Sequence, residues 1–349
     1  KRNWNQMNEI RILLEDSISK ILNDNLDWDK LAEIERTKWS ASLWDSLKQA
    51  GTFRLFASED NGGINGSWED AYVVLRASAH HTCPLPLAES IIANYFGQLA
   101  GLLIPEDCWA VTNKLPNIKK NIIDLEELEL PWGRFCRHFI IIDGNKLHLA
   151  KITDCEITEG ESLGRDPLDL LTGKAEIVEE AALHIANETF FCVGALMRSA
   201  QIAGASAAAF DLSVKYTAER EQFGRPLSKF QAIQHYLADL AGLVASVDAI
   251  SKTAFAVADS NDLTNPNADL LNHVAAAKCR ASDAVEKITK LSHQVHGAIG
   301  FTYEYGLHYS TRRLWAWRAD YGTSQYWGEH LGNQALKAGE NDVWSLITK

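Results

Sequence analysis

The spacing of hydrophobic residues changes twice along the chain. Over the first hundred residues apolar positions recur every three or four residues, as in Leu14, Ile18 and Leu22, which is the period of an amphipathic helix. Ser67, after a segment dense in turn-forming residues, is a candidate N-cap for the helix that follows. This pattern predicts an N-terminal helical domain over residues 1–106.

In the middle of the chain the hydrophobic period shortens to two. Residues 139–142 are a run of Phe and Ile, followed by Asp143-Gly144 and by an alternating segment over residues 146–150. A β-branched run, an Asp-Gly turn and alternation predict a β-hairpin. The charged residues 119–129 are expected to link strands at the sheet edge. We therefore predict a small β domain over residues 107–180.

Helical signals return in the last part of the chain. Residues 190–221 contain no proline and many alanines, which favours one long helix with closely packed neighbours. Two further long helices are predicted over residues 230–257 and 268–295. The C-terminal region, residues 181–349, is thus a predicted helical bundle. The fold class is mainly α with a small β domain, in the order helical, β, helical.

Composition excludes several classes of protein. The 34 Lys and Arg residues against 46 Asp and Glu give a net charge of −12, which disfavours a nucleic-acid binder because phosphate neutralisation needs clustered cations. No apolar run approaches the ~20 residues of a membrane span, and no signal peptide is evident. The spacing of cysteines and histidines predicts no metal site. We expect a cytoplasmic protein.

Two segments are candidates for ligand binding. Arg220, at a predicted helix end before a Gly224-Arg-Pro226 corner, presents a guanidinium suited to a phosphate or carboxylate; alternatively it caps helix carbonyls. Gly297 and Gly300 leave the backbone open to close approach by a ligand. The alternative is a simple turn between two helices.

Together these segments resemble the acyl-CoA dehydrogenase family over nearly the whole chain. The motifs that carry the resemblance are Arg220-x-Gln-Phe-Gly-Arg-Pro, then Phe230-Gln-Ala-x-Gln-His-x-Leu-Ala-Asp, Gln294-x-His-Gly-x-x-Gly-Phe-Thr and Gly322-Thr-Ser-Gln. The order helical, β, helical is also that of the family.

The resemblance implies FAD, α,β-dehydrogenation of an acyl-CoA thioester, and an electron-transfer flavoprotein or similar electron acceptor. In the family a base removes the α-proton and the β-hydride passes to the flavin. By this likeness one group of residues reaches the FAD of a neighbouring subunit: Arg220, Gln222, Phe223, Gln231, Gln294, His296, Gly297 and Ala298. Thr323 and Gln325 are expected near the chain's own end of the cofactor.

The chain departs from the family at the catalytic base. Typical members carry Glu directly before Gly-Thr-Ser-Gln, where this chain has Tyr321, and the alternative Glu position falls on Gly194. A phenol is a poor base at neutral pH. Asp320 is the only carboxylate near in sequence and is the candidate base. The flavin-contacting Thr-Glu-Pro and Trp-Ile-Thr stretches of the family's β domain are also missing.

These departures resemble the smaller, catalytically deficient subunit of heteromeric acyl-CoA dehydrogenases, including those acting on steroid side-chain CoA thioesters. The implied assembly is an α2β2 heterotetramer with a homologous larger subunit. Two alternatives stay open: a self-sufficient homo-oligomeric dehydrogenase using Asp320, and a flavin-free structural or regulatory protein. The aromatic pair Trp315 and Trp317 is expected to anchor a subunit interface.

Overall fold

The computed structural model describes residues 4–114 and 116–339. Five helices come first: α1 (Trp4–Asn25), α2 (Trp28–Thr37), α3 (Ala41–Gln49), α4 (Trp68–His80) and α5 (Leu87–Leu99). Six strands form one sheet: β1 (Cys108–Thr112), β2 (Asn117–Lys119), β3 (Ile122–Pro131), β4 (His138–Asp143), β5 (Lys146–Thr158) and β6 (Leu168–Ala182). The last part holds α6 (Thr189–Glu219), a small hairpin of β7 (Glu221–Gln222) and β8 (Arg225–Pro226), α7 (Gln231–Asp259), α8 (Ala268–His296), α9 (Leu307–Trp317) and α10 (Ser324–Ala338). The predicted fold class is confirmed; the domain boundaries stay predictions.

The start of α4 follows from local sequence chemistry. Ser67 Oγ accepts a hydrogen bond from the Asp70 backbone N–H at 3.3 Å, and Asp70 Oδ2 accepts one from the Ser67 N–H at 2.8 Å. This reciprocal capping box satisfies two backbone donors that a helix start leaves free. The predicted N-cap is therefore confirmed.

The sheet has the strand order β1-β4-β5-β6-β3-β2, and only the β1–β4 pair is parallel. The predicted hairpin is β4 and β5, which pair from His138 with Lys151 to Asp143 with Lys146. The prediction for residues 119–129 was wrong, because most of this segment belongs to β3, which pairs with β6 over Ile122–Pro131. Its alternate apolar residues, Ile123, Leu125 and Leu130, are buried in the core despite the acidic residues between them.

The long helix α6 forms the centre of the helical bundle and packs against α4, α7, α8 and α9. A glycine permits the closest of these approaches: a Cβ at Gly204 would lie 2.1 Å from the Arg76 carbonyl oxygen of α4. The small residues that predicted a long helix thus also allow neighbouring backbones to come close.

The helix α7 corrects the prediction that no apolar segment reaches the length of a membrane span. Residues Gln231–Asp259 are long and apolar enough by length and composition. In the structure one face of α7 packs on α6 and α8, and residues on the other face are exposed. One such helix is weak evidence for a membrane, since core helices of helical bundles have the same composition.

Candidate functional site

A cleft of about 360 Å³ lies between the sheet and the helical regions. The ends of β1 and β3 form one wall, contributing Thr112 and Trp132. The opposite wall comes from α5, α6 and the segment that follows α9. The volume is within the range of small-molecule sites, and the cleft contains the position where the family resemblance places the base.

Charged side chains form a closed network in this cleft around Arg198 of α6. Its Nε donates to Asp320 Oδ2 at 3.0 Å, and its Nη2 donates to Glu89 Oε1 at 2.7 Å. The guanidinium is buried; the two carboxylates raise its pKa further above its ordinary value, against the opposing effect of burial. Asp320 is therefore an ion-pair partner of Arg198, and Glu89, which is distant in sequence, lies in the same cleft together with Glu129 and Asp166.

The two positions where the family places its base are packed against each other. A Cβ at Gly194 would lie 2.2 Å from a ring carbon of Tyr321, so the aromatic ring occupies the space that a side chain on α6 would need. Burial raises the pKa of the Tyr321 phenol to about 12. Neither position supplies a base at neutral pH.

A buried lysine holds the segment that carries Asp320 and Tyr321. Lys278 Nζ of α8 donates to Ser282 Oγ at 2.8 Å, to the Arg318 carbonyl at 3.0 Å and to the Gly322 carbonyl at 2.8 Å. Burial lowers the pKa of this ammonium to about 7. The lysine thus ties the turn after α9 to the bundle.

Thr323 and Gln325 lie at the start of α10, just beyond this turn. The Thr323 hydroxyl accepts a hydrogen bond from the Tyr326 N–H at 3.3 Å, as an N-cap. The Gln325 amide donates to Glu329 Oε1 at 3.0 Å. Both side chains are exposed, so the helix start is accessible to a ligand.

The Arg220 segment lies at the end of α6 and projects into solvent. The side chains of Arg220, Gln222 and Gln231 are exposed. Within residues 4–114 and 116–339 the Arg220 guanidinium has no hydrogen bond or ion pair. At the hairpin tip Phe223 has a φ of 52° and is 93% exposed, followed by Gly224 at 76°. A large aromatic side chain held outward in a left-handed conformation costs free energy unless something covers it.

The segment at the end of α8 is also exposed to solvent. Gln294, Gly297 and Ala298 are exposed. Gly297 has a φ of 63°, and a Cβ added there would have no other atom within 4 Å. His296 differs, because it is buried and its Nδ1 donates to the Ser292 carbonyl at 2.7 Å. Its ring stacks on Tyr216 at 4.7 Å between centroids. The imidazole is thus part of the packing, unlike the Gln294 side chain and the backbone at Gly297, which are exposed.

The predicted site residues fall into two groups, which lie beside different parts of α8. Tyr216, one turn before Arg220, stacks on His296, which brings the Arg220 and Gly297 segments to the same end of the bundle. Thr323 and Gln325 lie instead beside Cys279, whose Sγ donates to the Ser324 carbonyl at 3.4 Å. Cys279 and Gln294 are about 22 Å apart along the helix axis.

The sequence reasoning missed three charged residues of the cleft: Glu89, Arg198 and Lys278. Each lies on a helix with mostly apolar or small neighbours. Lysine and arginine are rarely buried unless they are paired, so an isolated charge in such a helix was the signal available.

The family assignment follows from comparisons with known proteins. The family model described as acyl-CoA dehydrogenase, C-terminal domain, matches residues 183–336. The chain is 25% identical over 309 residues to acyl-CoA dehydrogenase IpdE2 of Mycolicibacterium smegmatis, with 86% of this chain and 91% of that protein covered. Residues 183–336 thus match the C-terminal domain of acyl-CoA dehydrogenases, a family of flavoproteins, and nearly the whole chain is similar to one of its members.

Solved structures have the same fold. The structure titled Tcur3481-Tcur3483 steroid ACAD G363A variant aligns with a TM-score of 0.80 at 21% identity, covering 95% of this chain and 98% of that one. The ChsE4-ChsE5 complex from Mycobacterium tuberculosis aligns with a TM-score of 0.76 at 17% identity, with the same coverages. Both titles name two different chains.

Proposed function

We propose that this chain is the non-catalytic subunit of a heteromeric, FAD-dependent acyl-CoA dehydrogenase. It completes the cofactor site of a homologous larger subunit, which supplies the base. The observation that carries the proposal is the packing of Tyr321 into the space above Gly194, which leaves no carboxylate at either base position. The Arg220 end, in contrast, keeps polar groups free for a cofactor.

The two carboxylates nearest the family's base positions, Asp320 and Glu89, are poorly placed for proton abstraction. A general base needs a free lone pair aimed at the substrate carbon. Asp320 and Glu89 both accept hydrogen bonds from the Arg198 guanidinium, so one oxygen of each carboxylate is already engaged within the chain. Removing either carboxylate would leave the buried arginine less well compensated.

The groups at the Arg220 end fit the pyrophosphate of FAD. Arg220 offers a planar fork of donors, the Gln222 and Gln294 amides add neutral donors, and the backbone at Gly297 has room for close approach. When bound, FAD supplies the hydride acceptor for the dehydrogenation. The role proposed for this chain is to bind and orient the cofactor, with the exposed Phe223 covering part of it.

The exposed face of α7 supports a subunit interface. Four small residues follow one another on this face at helical spacing: Ala238, Gly242, Ala245 and Ala249. Apart from the backbone of α7 itself, no atom of the described residues lies within 4 Å of a Cβ built on Gly242, so a helix of another subunit has room to approach closely. We propose that the larger subunit packs here in an α2β2 heterotetramer.

Trp317 is buried within the chain, so the expectation that it anchors a subunit interface was wrong, whereas Trp315 remains 39% exposed.

The steroid-type relatives suggest the substrate class. The structure with a TM-score of 0.80 is titled a steroid ACAD, and we propose a steroid-derived acyl-CoA as the substrate of the assembly. An electron-transfer flavoprotein or a similar protein is the proposed acceptor, and the cytoplasm is the proposed location.

Co-expression with the homologous larger chain tests the proposal. The chain purified alone should be colourless, and the co-purified assembly should be yellow, with the visible absorption of bound flavin. A yellow, active chain when expressed alone would contradict it.

The second candidate is a self-sufficient homo-oligomer with Asp320 as base. It is favoured by the position of Asp320 in the cleft wall, with its side chain 40% exposed. Under this alternative the chain alone binds flavin and turns over. A chain that stays colourless with and without the larger subunit would instead favour a flavin-free structural or regulatory role.

A further inference from the structure

Two adjoining cavities, each of about 260 Å³, lie in the N-terminal helical region, between α3, α5 and residues 101–106. We call the pair the Arg54 groove, because Arg54, Asn94 and Ile104 line both cavities. Together they offer the volume of a small-molecule site, which is ~300–1,000 Å³. The groove shares no lining residue with the cleft around Arg198, and none of the site residues predicted from the sequence lines it.

The Arg54 guanidinium has no acidic partner in this groove. Its Nη1 donates to the Asn61 carbonyl and its Nη2 to the Ile104 carbonyl, both at 3.3 Å, and within residues 4–114 and 116–339 it forms no ion pair. Glu106, the one acidic residue among the lining residues described, pairs instead with Lys48 at 2.6 Å. A guanidinium has five N–H donors, so Arg54 keeps donors for an anion. A carboxylate can accept two parallel hydrogen bonds from such a group.

One of the two cavities is lined mainly by apolar side chains. Phe56, Leu102 and Leu103 form much of its wall, and Arg54 is the one charged residue among the lining residues described. Leu103 is 66% exposed. An apolar group that covers this wall is removed from water, which favours its binding.

The loop over residues 57–66 contributes to the rim of the groove and is held by the backbone. The Gly63 N–H donates to the Ser58 carbonyl at 3.0 Å. A Cβ at Gly63 would lie 2.2 Å from the carbonyl oxygens of Arg54 and Ala57, so the loop packs directly on the turn that carries Arg54. A groove with ordered walls loses less conformational entropy when a ligand binds.

We propose that the Arg54 groove binds a small monocarboxylate with an apolar chain, the carboxylate on the Arg54 guanidinium and the chain over Phe56, Leu102 and Leu103. A carboxylate matches a single unpaired arginine, because it carries one negative charge. A neutral hydrocarbon would leave the guanidinium unused, and a small anion would leave the apolar wall uncovered. The inference goes beyond the proposed function, since the groove contains none of the residues that the flavin proposal uses.

Calorimetric titration of the full-length chain, or of its assembly where the two subunits co-purify, tests this site with octanoate as the probe. We expect one site per copy of this chain. Octanol has the same chain without the charge, and acetate has the charge without the chain. Each should bind about tenfold or more weakly than octanoate, since each lacks one of the two interactions. These comparisons use the unmodified protein.

Variants then assign the site to the Arg54 groove. Arg54→Gln should weaken octanoate binding about tenfold or more, through loss of the charge-assisted hydrogen bonds, and should leave octanol binding unchanged. Leu103→Ser, at an exposed position, should weaken both. Lys215→Gln, which removes a charge at an exposed position of α6, should change neither.

Three results would overturn the proposal. One is no octanoate binding up to about 10 mM, and another is equal affinity for octanoate and acetate, which would indicate a general anion site. The third is an equal loss of octanoate and octanol binding in Arg54→Gln, which would indicate a structural effect of the substitution. Arg220→Ala should leave octanoate binding intact, and loss of binding there would place octanoate at the flavin segment instead.

Discussion

The two ends of the helical bundle differ in whether their polar side chains have partners within the chain. At the Asp320 end, Arg198, Glu89 and Lys278 all have partners inside the chain, and Tyr321 fills the space over Gly194. At the Arg220 end the side chains extend into solvent. Internal packing thus fills the Asp320 end of the bundle, whereas the Arg220 end keeps its polar side chains exposed.

The difference also indicates which end depends on a partner. The ion pairs around Arg198 are all formed within one chain, because leaving a buried charge unpaired would cost several kcal/mol. An exposed phenylalanine in a left-handed conformation gains free energy only when it is covered. The Arg220 end is therefore the end that we propose to depend on a partner.

The largest expected effect is on assembly. Ala245→Arg places a long charged side chain in the middle of the exposed small-residue face of α7, where a close helix contact has no room for it. We expect the heterotetramer to dissociate at micromolar concentration, with an affinity loss of about a hundredfold or more, since burying an unpaired charge costs several kcal/mol. Sedimentation velocity measures this. Asn333→Arg, at an exposed position of α10, is the matched control, and an intact tetramer in Ala245→Arg would exclude this face.

The packing at the Asp320 end is tested by Gly194→Ala. The new methyl group would lie 2.2 Å from the Tyr321 ring, so the ring must move, and overpacking of this kind costs about 1–3 kcal/mol of unfolding free energy. Urea denaturation measures the loss. The double variant Gly194→Ala with Tyr321→Ala should show a smaller additional cost for the alanine at 194, because the ring that it meets is gone. Strictly additive effects would contradict direct packing.

The sequence predicted the residues of the Arg220 end better than those of the Asp320 end, for a physical reason. The long helices α6, α7 and α8, the β4–β5 hairpin and the Ser67 cap follow from local periodicity and turn chemistry, and they were predicted. The motif residues at the Arg220 end were found because they are consecutive in sequence. The network of Glu89, Arg198 and Asp320 was missed because its members come from three distant segments, which only the tertiary packing brings together. The strand β3 was missed because exposed acidic residues alternate with its buried ones.

The Arg220 end is tested by Arg220→Lys in the co-purified assembly. Lysine keeps the charge but loses the planar fork that holds a phosphate with two parallel bonds. A charge-assisted hydrogen bond is worth about 1.5–3 kcal/mol, so flavin affinity should fall about tenfold or more, measured by the flavin absorbance after dialysis. Lys215→Arg, at an exposed position of the same helix, is the control. Unchanged flavin content in Arg220→Lys would remove this residue from the cofactor site.

The smallest expected effect concerns Asp320, and it decides whether the base at the Asp320 end of this chain or the base of the larger subunit abstracts the proton. If Asp320 is only a partner of Arg198, Asp320→Asn keeps an oxygen acceptor for the guanidinium at nearly the same volume, while Glu89 retains the compensating charge. Turnover of the whole assembly should then change less than tenfold, which is under about 1.4 kcal/mol. The matched control is the equivalent change, Glu to Gln, at the base of the larger subunit. Loss of a general base typically lowers the rate about 10²–10⁴-fold. If Asp320→Asn abolishes turnover while flavin content and assembly stay intact, proton abstraction occurs in this chain. Asp320 would then be the base, although it is paired with Arg198.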